Sequence, residues 1–138
     1  MRALLLIVGI GVAAVVLIST FVDEGEVVTL VTRDANGADY ETPLWVVDLD
    51  GQRYLRVGGP GAAWVARVRA NPAARLHPAG AEEGEEVAVL AVPAEDPATR
   101  EAVNRLMAEK YGWADRLWSH ILDRGKSVPI RLDAPPAP

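Results

Sequence analysis

"TPLWVVDLDGQRYLRV", residues 42–57, contains two β-rich runs joined by Asp50-Gly51. Asp-Gly is the dipeptide of a two-residue hairpin, because both central positions of a type I′ turn take positive φ. Thr42 to Leu49 therefore reads as one strand and Gln52 to Val57 as its antiparallel neighbour. Pro43 has no N–H to give to a ladder, so the start of the first strand must be an edge or a bulge. In the returning strand, Tyr54 and Arg56 share one face, and Leu55 and Val57 share the other.

Outward from this hairpin, short strands dominate. Val27 to Arg33, VVTLVTR, is β-branched-rich and ends at the turn signal Ala35-Asn36-Gly37. After the third strand, Gly58-Gly59-Pro60-Gly61 is a glycine-rich turn feeding a short helix with Trp64, Val65 and Val68 on one side, stopped by Asn71-Pro72. A short strand over 75–77 follows, then an acidic turn over 80–86 and a buried strand, VAVLAV, over 87–92. Asp96-Pro97 opens a helix, with Asp as N-cap and Pro at the first helical position. Gly112 closes that helix. A second helix carries Trp113, Ala114, Leu117, Trp118, Ile121 and Leu122 as an apolar stripe, and Gly125 ends it; Trp113 and Trp118 are expected in the core, the alternative being the membrane interface near the anchor. SVPIRL, 127–132, is the last strand, and APPAP is a disordered tail over 134–138. Six short antiparallel strands with three short helices to the side give an α+β fold built on a small barrel.

The amino terminus differs in kind. Ala3 to Val22 is a run of 20 residues without a charge in this 138-residue chain. As a helix it would span roughly 30 Å, the thickness of bilayer hydrocarbon. It lacks the small-x-small site of a cleaved signal peptide. The expectation is one transmembrane helix over 1–22, a retained single-pass anchor, ahead of one domain over 23–133. Arg2 before the span places the domain on the extracytoplasmic side by the positive-inside rule.

The remaining 116 residues carry 13 Lys+Arg and 19 Asp+Glu, a formal charge of −6. That balance argues against a nucleic-acid-binding surface, which would show a basic patch. There is no cysteine, so thiolate chemistry and disulfides are excluded. Ser19, Ser119 and Ser127 lie in no Gly-x-Ser-x-Gly elbow, and His77 and His120 lie in no ligand-spaced pattern. No metal site is expected. The 58–61 turn matches neither a P-loop nor the dinucleotide fingerprint. Taken alone, it is a ligand-holding turn or a plain tight turn. Trp45 and Leu44 are core residues or site-lining residues, and Arg56 has Asp48 or Glu41 as cross-hairpin partners.

Several motifs occur together in order: Thr42-Pro43-Leu44-Trp45, Tyr54-Leu55-Arg56-Val57-Gly58-Gly59, Trp64, Arg69-Ala70-Asn71-Pro72, Lys110-Tyr111-Gly112 and Val128-Pro129-Ile130-Arg131-Leu132. In that order the chain resembles the split β-barrel superfamily of pyridoxamine-phosphate oxidases, nearest to its deazaflavin-dependent nitroreductase-like branch, over about residues 26–133. The resemblance implies a six-stranded antiparallel split β-barrel and a homodimer sharing its site. It also implies FMN or a deazaflavin coenzyme as cofactor and hydride transfer to a small-molecule acceptor such as a quinone or nitro compound. By position it implies a ring lined by Thr42, Pro43, Leu44 and Trp45. Arg56, Val57, Gly58 and Gly59 would lie toward the phosphate or ring edge, with Trp64 as a wall. One segment departs from the branch. Where a basic stretch precedes Thr-Pro-Leu in those relatives, this chain has Arg33-Asp34-Ala35-Asn36-Gly37-Ala38-Asp39-Tyr40-Glu41. The alternative implied by that loss is a split-barrel binding or interaction module without its cofactor.

Overall fold

The computed structural model describes residues 25–57 and 61–137. The expected anchor over 1–22 and the turn residues Gly58 and Gly59 lie outside the described residues. Six strands form a closed antiparallel barrel in the order β1-β2-β3-β6-β5-β4. They are β1 (Val27–Arg33), β2 (Asp39–Leu49), β3 (Gln52–Val57), β4 (Ala73–His77), β5 (Val87–Pro93) and β6 (Val128–Asp133). Helix α1 (Ala63–Ala70) lies between β3 and β4, and α2 (Pro97–Ser119) lies between β5 and β6.

The Asp50-Gly51 turn forms as its sequence demands, with φ of 52° and 78°. It sets the register Val46↔Leu55 to Leu49↔Gln52. β2 begins three residues earlier than the sequence indicates, at Asp39. Its first part pairs with β1, from Arg33↔Asp39 to Val27↔Trp45. Its last part pairs with β3. The strand thus changes neighbours between Trp45 and Val46. Pro43 falls in the part with no β3 partner, so its missing N–H breaks no ladder on that side.

Two apolar clusters hold the fold. Inside the barrel, Val28, Leu30, Val46, Leu55, Ile130 and Leu132 meet Trp64, Val65 and Val68 of α1. Outside it, Val103, Met107 and Tyr111 of α2 cover Val47 and Tyr54. Burying each large apolar side chain contributes about 1.5–3 kcal/mol. β3 is therefore covered on both faces, which explains why the alternating strand Tyr54–Val57 is buried at every position.

Among the described residues two α-helices stand where the sequence indicates three short helices, because the segments on either side of Gly112 run on as one element. Gly112 keeps the predicted break as a kink, at φ 53° and ψ −119°. Asp96 caps α2 by accepting from the Thr99 N–H at 2.9 Å. The stripe beyond the kink does not enter the core. Trp113, Leu117, Trp118, Ile121 and Leu122 are exposed, Ile121 by 69%. The helix ends at Ser119, before that stripe is complete, and only Ala114 and Asp115 of the segment point inward. Helical spacing reports a shared face but not what covers it. No helix among the described residues is long and apolar enough to cross a membrane.

Candidate functional site

Where β2 leaves β1 for β3, the Val46 N–H donates to the hydroxyl of Tyr111 at 2.9 Å. That hydroxyl lies 2.7 Å from the Glu26 carbonyl and 3.0 Å from the Val46 carbonyl. A single phenol therefore satisfies backbone groups at the seam. Burial raises the Tyr111 pKa, so the hydroxyl stays protonated. The Tyr111 ring stacks on Trp45 with centroids 4.4 Å apart and planes 7° apart. Lys110 reaches the same seam, donating to the Val46 carbonyl at 2.8 Å and to Glu26 at 2.6 Å. The Lys110 ammonium holds the Glu26 carboxyl below its usual range, against the opposing effect of partial burial.

Beside this stacked pair a cleft of about 220 Å³ opens, lined by Val27, Pro43, Leu44, Trp45, Arg56, Trp118, Leu122 and Arg124. Four sequence-predicted residues converge on it: Pro43, Leu44, Trp45 and Arg56. Thr42 sits one residue away, half-buried opposite Leu30, and does not line the cleft. Val57 and Trp64 lie in the barrel interior. Three cleft residues come from the chain around the end of α2: Trp118 in its last turn, Leu122 in the bend that follows, and Arg124 at the start of a 3-10 turn, Arg124–Lys126. The resemblance did not reach them; their one sequence signal is an apolar stripe running into Asp123-Arg124-Gly125-Lys126.

Arg56 does not pair across the hairpin; Arg53 takes Asp48 instead, at 3.2 Å. Arg56 is instead buried under α2 with its guanidinium on Asp115, a short ion pair in which both side chains are under one-tenth exposed. It also donates to Asn104 Oδ1 at 3.1 Å. Arg124 approaches Asp115 Oδ1 from the other side at 3.0 Å. Asn104 and Ser127 fix the Arg124 backbone by donating to its carbonyl at 3.0 and 2.8 Å. The Arg124 Nε is buried without a partner.

The acidic segment ahead of Thr42 is closed upon itself. Asp34 accepts from the Asn36 and Ala38 N–H groups and from the Tyr40 hydroxyl. Asp39 holds both Arg33 and Arg75, at 2.8 and 2.6 Å. Arg67 lies 4.1 Å over the Tyr40 ring and donates to Thr32. The basic side chains around this loop are engaged with protein partners. Among the described residues no group of three metal-ligating side chains occurs.

A planar ring fits the cleft wall. Trp45 is held flat by its stack on Tyr111, and Pro43 and Leu44 add apolar surface. A phosphate end fits less well among the described residues, since Arg56 is already neutralised by Asp115 and Asp39 occupies Arg33 and Arg75.

No family model matches the chain, and no curated protein matches it. Solved structures do. A conserved hypothetical protein, Rv2991, from Mycobacterium tuberculosis superposes with TM-score 0.64 at 19% identity, covering 86% of this chain and 79% of that one. A putative pyridoxamine 5′-phosphate oxidase from Listeria innocua gives TM-score 0.58 at 17% identity, covering 83% and 88%. A protein described as an F420 reductase gives TM-score 0.55 at 12% identity, covering 85% and 92%. The fold is therefore the split barrel of pyridoxamine-phosphate-oxidase-like proteins, as the motif order implies.

Proposed function

We propose that the chain is a split-barrel oxidoreductase whose cleft receives the ring of a flavin or deazaflavin and passes hydride to a small apolar acceptor. The observation that carries this reading is the convergence of Pro43, Leu44, Trp45 and Arg56 on one aromatic-walled cleft. The fold shared with the oxidase-like protein and the F420 reductase adds to it. The bound ring would supply the redox chemistry, and the protein would orient and shield it. Trp45, immobilised by Tyr111, sets the plane against which a ring stacks. Pro43, Leu44, Trp118 and Leu122 exclude water from its faces. The described residues that line the cleft include no carboxylate or imidazole, which suits a reaction whose electrons come from a cofactor rather than from an acid–base pair.

A second reading has its own observation. Arg56, the residue expected at the phosphate, is locked by Asp115 and Asn104. That favours a binding module that has kept the ring cleft and lost the phosphate contacts. Two further parts of the proposal come from the sequence alone: the 20-residue uncharged run as membrane anchor, and an extracytoplasmic domain. Homodimerisation is proposed from the resemblance and from the size of the cleft, which is below the roughly 300 Å³ at which small-molecule sites begin.

Purified full-length chain in mild detergent, titrated with FMN and with a deazaflavin coenzyme, tests the reading by absorption and thermal shift. Stabilisation by either, growing with ligand as RT ln(1 + [L]/Kd) and lost in Pro43→Glu, supports the oxidoreductase. No shift with either at 100 µM or so, well above a micromolar Kd, leaves the binding module.

A further inference from the structure

Arg56, Arg124 and Asp115 bring two guanidinium groups and one carboxylate together under α2. Asp115 is the one carboxylate that the described residues place on either arginine. The cluster therefore carries one surplus positive charge at the cleft wall. The surplus is not shared equally. Arg56 is sealed, its side chain 3% exposed, with Asp115 on one terminal nitrogen and Asn104 on the other. Arg124 is the partner left short, its Nε buried with no acceptor. It also lines the cleft. Burial first, and then the like charge of Arg56, lower the Arg124 pKa. With 18% of the Arg124 side chain exposed, its charge is only partly hydrated, and an anion in the cleft would compensate it.

From this geometry we infer that the cleft selects a ligand bearing one negative charge, a carboxylate, carried on a planar apolar body, with Arg124 as its counter-ion. A dianionic phosphate ester is a poor match, because it brings nearly two charges to a cluster that lacks one. A neutral ring fills the apolar wall and leaves Arg124 uncompensated. The guanidinium is preset for the task. Its backbone carbonyl is tied down by Asn104 and Ser127, and the Arg100 Nε holds the Ser127 carbonyl at 2.8 Å. This inference rests on the cleft reading above and specifies the ligand's charge.

The test compares three flavins with one ring: riboflavin, neutral; 10-carboxymethylflavin, one carboxylate; and FMN, a phosphate ester. Each is titrated at pH 8 into full-length chain in detergent, with binding read from flavin fluorescence and calorimetry. The expected result is at least tenfold tighter binding of the carboxylate than of riboflavin, with FMN no tighter than the carboxylate. Arg124→Gln abolishes the carboxylate's advantage over riboflavin. That variant removes the surplus charge and keeps the Arg56–Asp115 pair, so its melting temperature stays level or rises. FMN binding tenfold tighter than the carboxylate, or an unchanged ratio in Arg124→Gln, overturns the inference. If no flavin binds, the flavin reading falls, and 2-naphthoate against 2-naphthylmethanol decides the charge rule alone. Preference for naphthoate that is lost in Arg124→Gln upholds it; equal affinity, or no binding of either, overturns it.

Discussion

Tyr111→Phe removes one oxygen and nothing else, and the structure says what that oxygen does. It accepts from the Val46 N–H and lies within hydrogen-bond distance of the Glu26 and Val46 carbonyls. β2 changes partners at this point, so the sheet ladder offers Val46 no ready substitute. Stranding a buried backbone donor costs about 1–3 kcal/mol, and the donated bond adds to that. Lys110 still reaches the Val46 carbonyl and softens the loss. The net cost is therefore about 2 kcal/mol, near the middle of that range. For a domain of this size that lowers the melting temperature by about 8 °C. The ring and its stack on Trp45 remain, so the cleft wall is kept. Urea unfolding in mild detergent, followed by tryptophan emission, should show a lower midpoint with an unchanged slope. A loss below about 0.5 kcal/mol would mean that water replaces the hydroxyl, and the seam would not be what fixes α2 to the barrel. Tyr111→Leu should cost roughly 1 kcal/mol more, because it also removes an aromatic pair.

The buried cluster predicts an asymmetry. Asp115→Asn leaves two guanidinium groups without a carboxylate and should cost about 3–5 kcal/mol in thermal or urea unfolding, and adding Arg124→Gln should recover part of that. Equal stability of the single and double variants would contradict the surplus-charge account. Gly112→Ala puts a Cβ at φ 53° and ψ −119°, so calorimetry should show a loss of about 1–2 kcal/mol even though the added carbon meets nothing within 4 Å. Glu26 has its folded pKa depressed by Lys110, below its ordinary 4.5. Its contribution is thus present above pH 4.5 and lost as pH falls through the lower folded value. It is worth roughly 0.5 kcal/mol after solvent screening, and Glu26→Gln should remove that part of the acid slope in pH-resolved melting.

The local geometry was legible because single residues enforce it. Asp50-Gly51 permits one kind of turn, Asp96-Pro97 starts a helix, and Gly112 interrupts one; each acts within a few positions of itself. Pro43 even announced the strand part without a β3 partner. Element order pointed to a small barrel, but not to the strand pairs that close it. The pairings β3–β6 and β1–β4 join residues tens of positions apart, and periodicity is silent on partners. The same limit explains the two misplacements. Arg56 had acidic neighbours across its hairpin, yet its partner lies 59 residues on, because α2 covers that face of β3 and carries Asp115 onto it. The apolar stripe from Trp113 to Leu122 looked like core because apolar spacing encodes a face. Whether that face finds a surface depends on the direction in which the chain leaves Gly112. There the φ of one glycine turns the helix so that Ala114 and Asp115 point inward while both tryptophans stay outside. The turn that exposes the stripe also brings Trp118, Leu122 and Arg124 to the cleft beside Trp45. What sequence patterning would have used up in a core is thereby left lining a site.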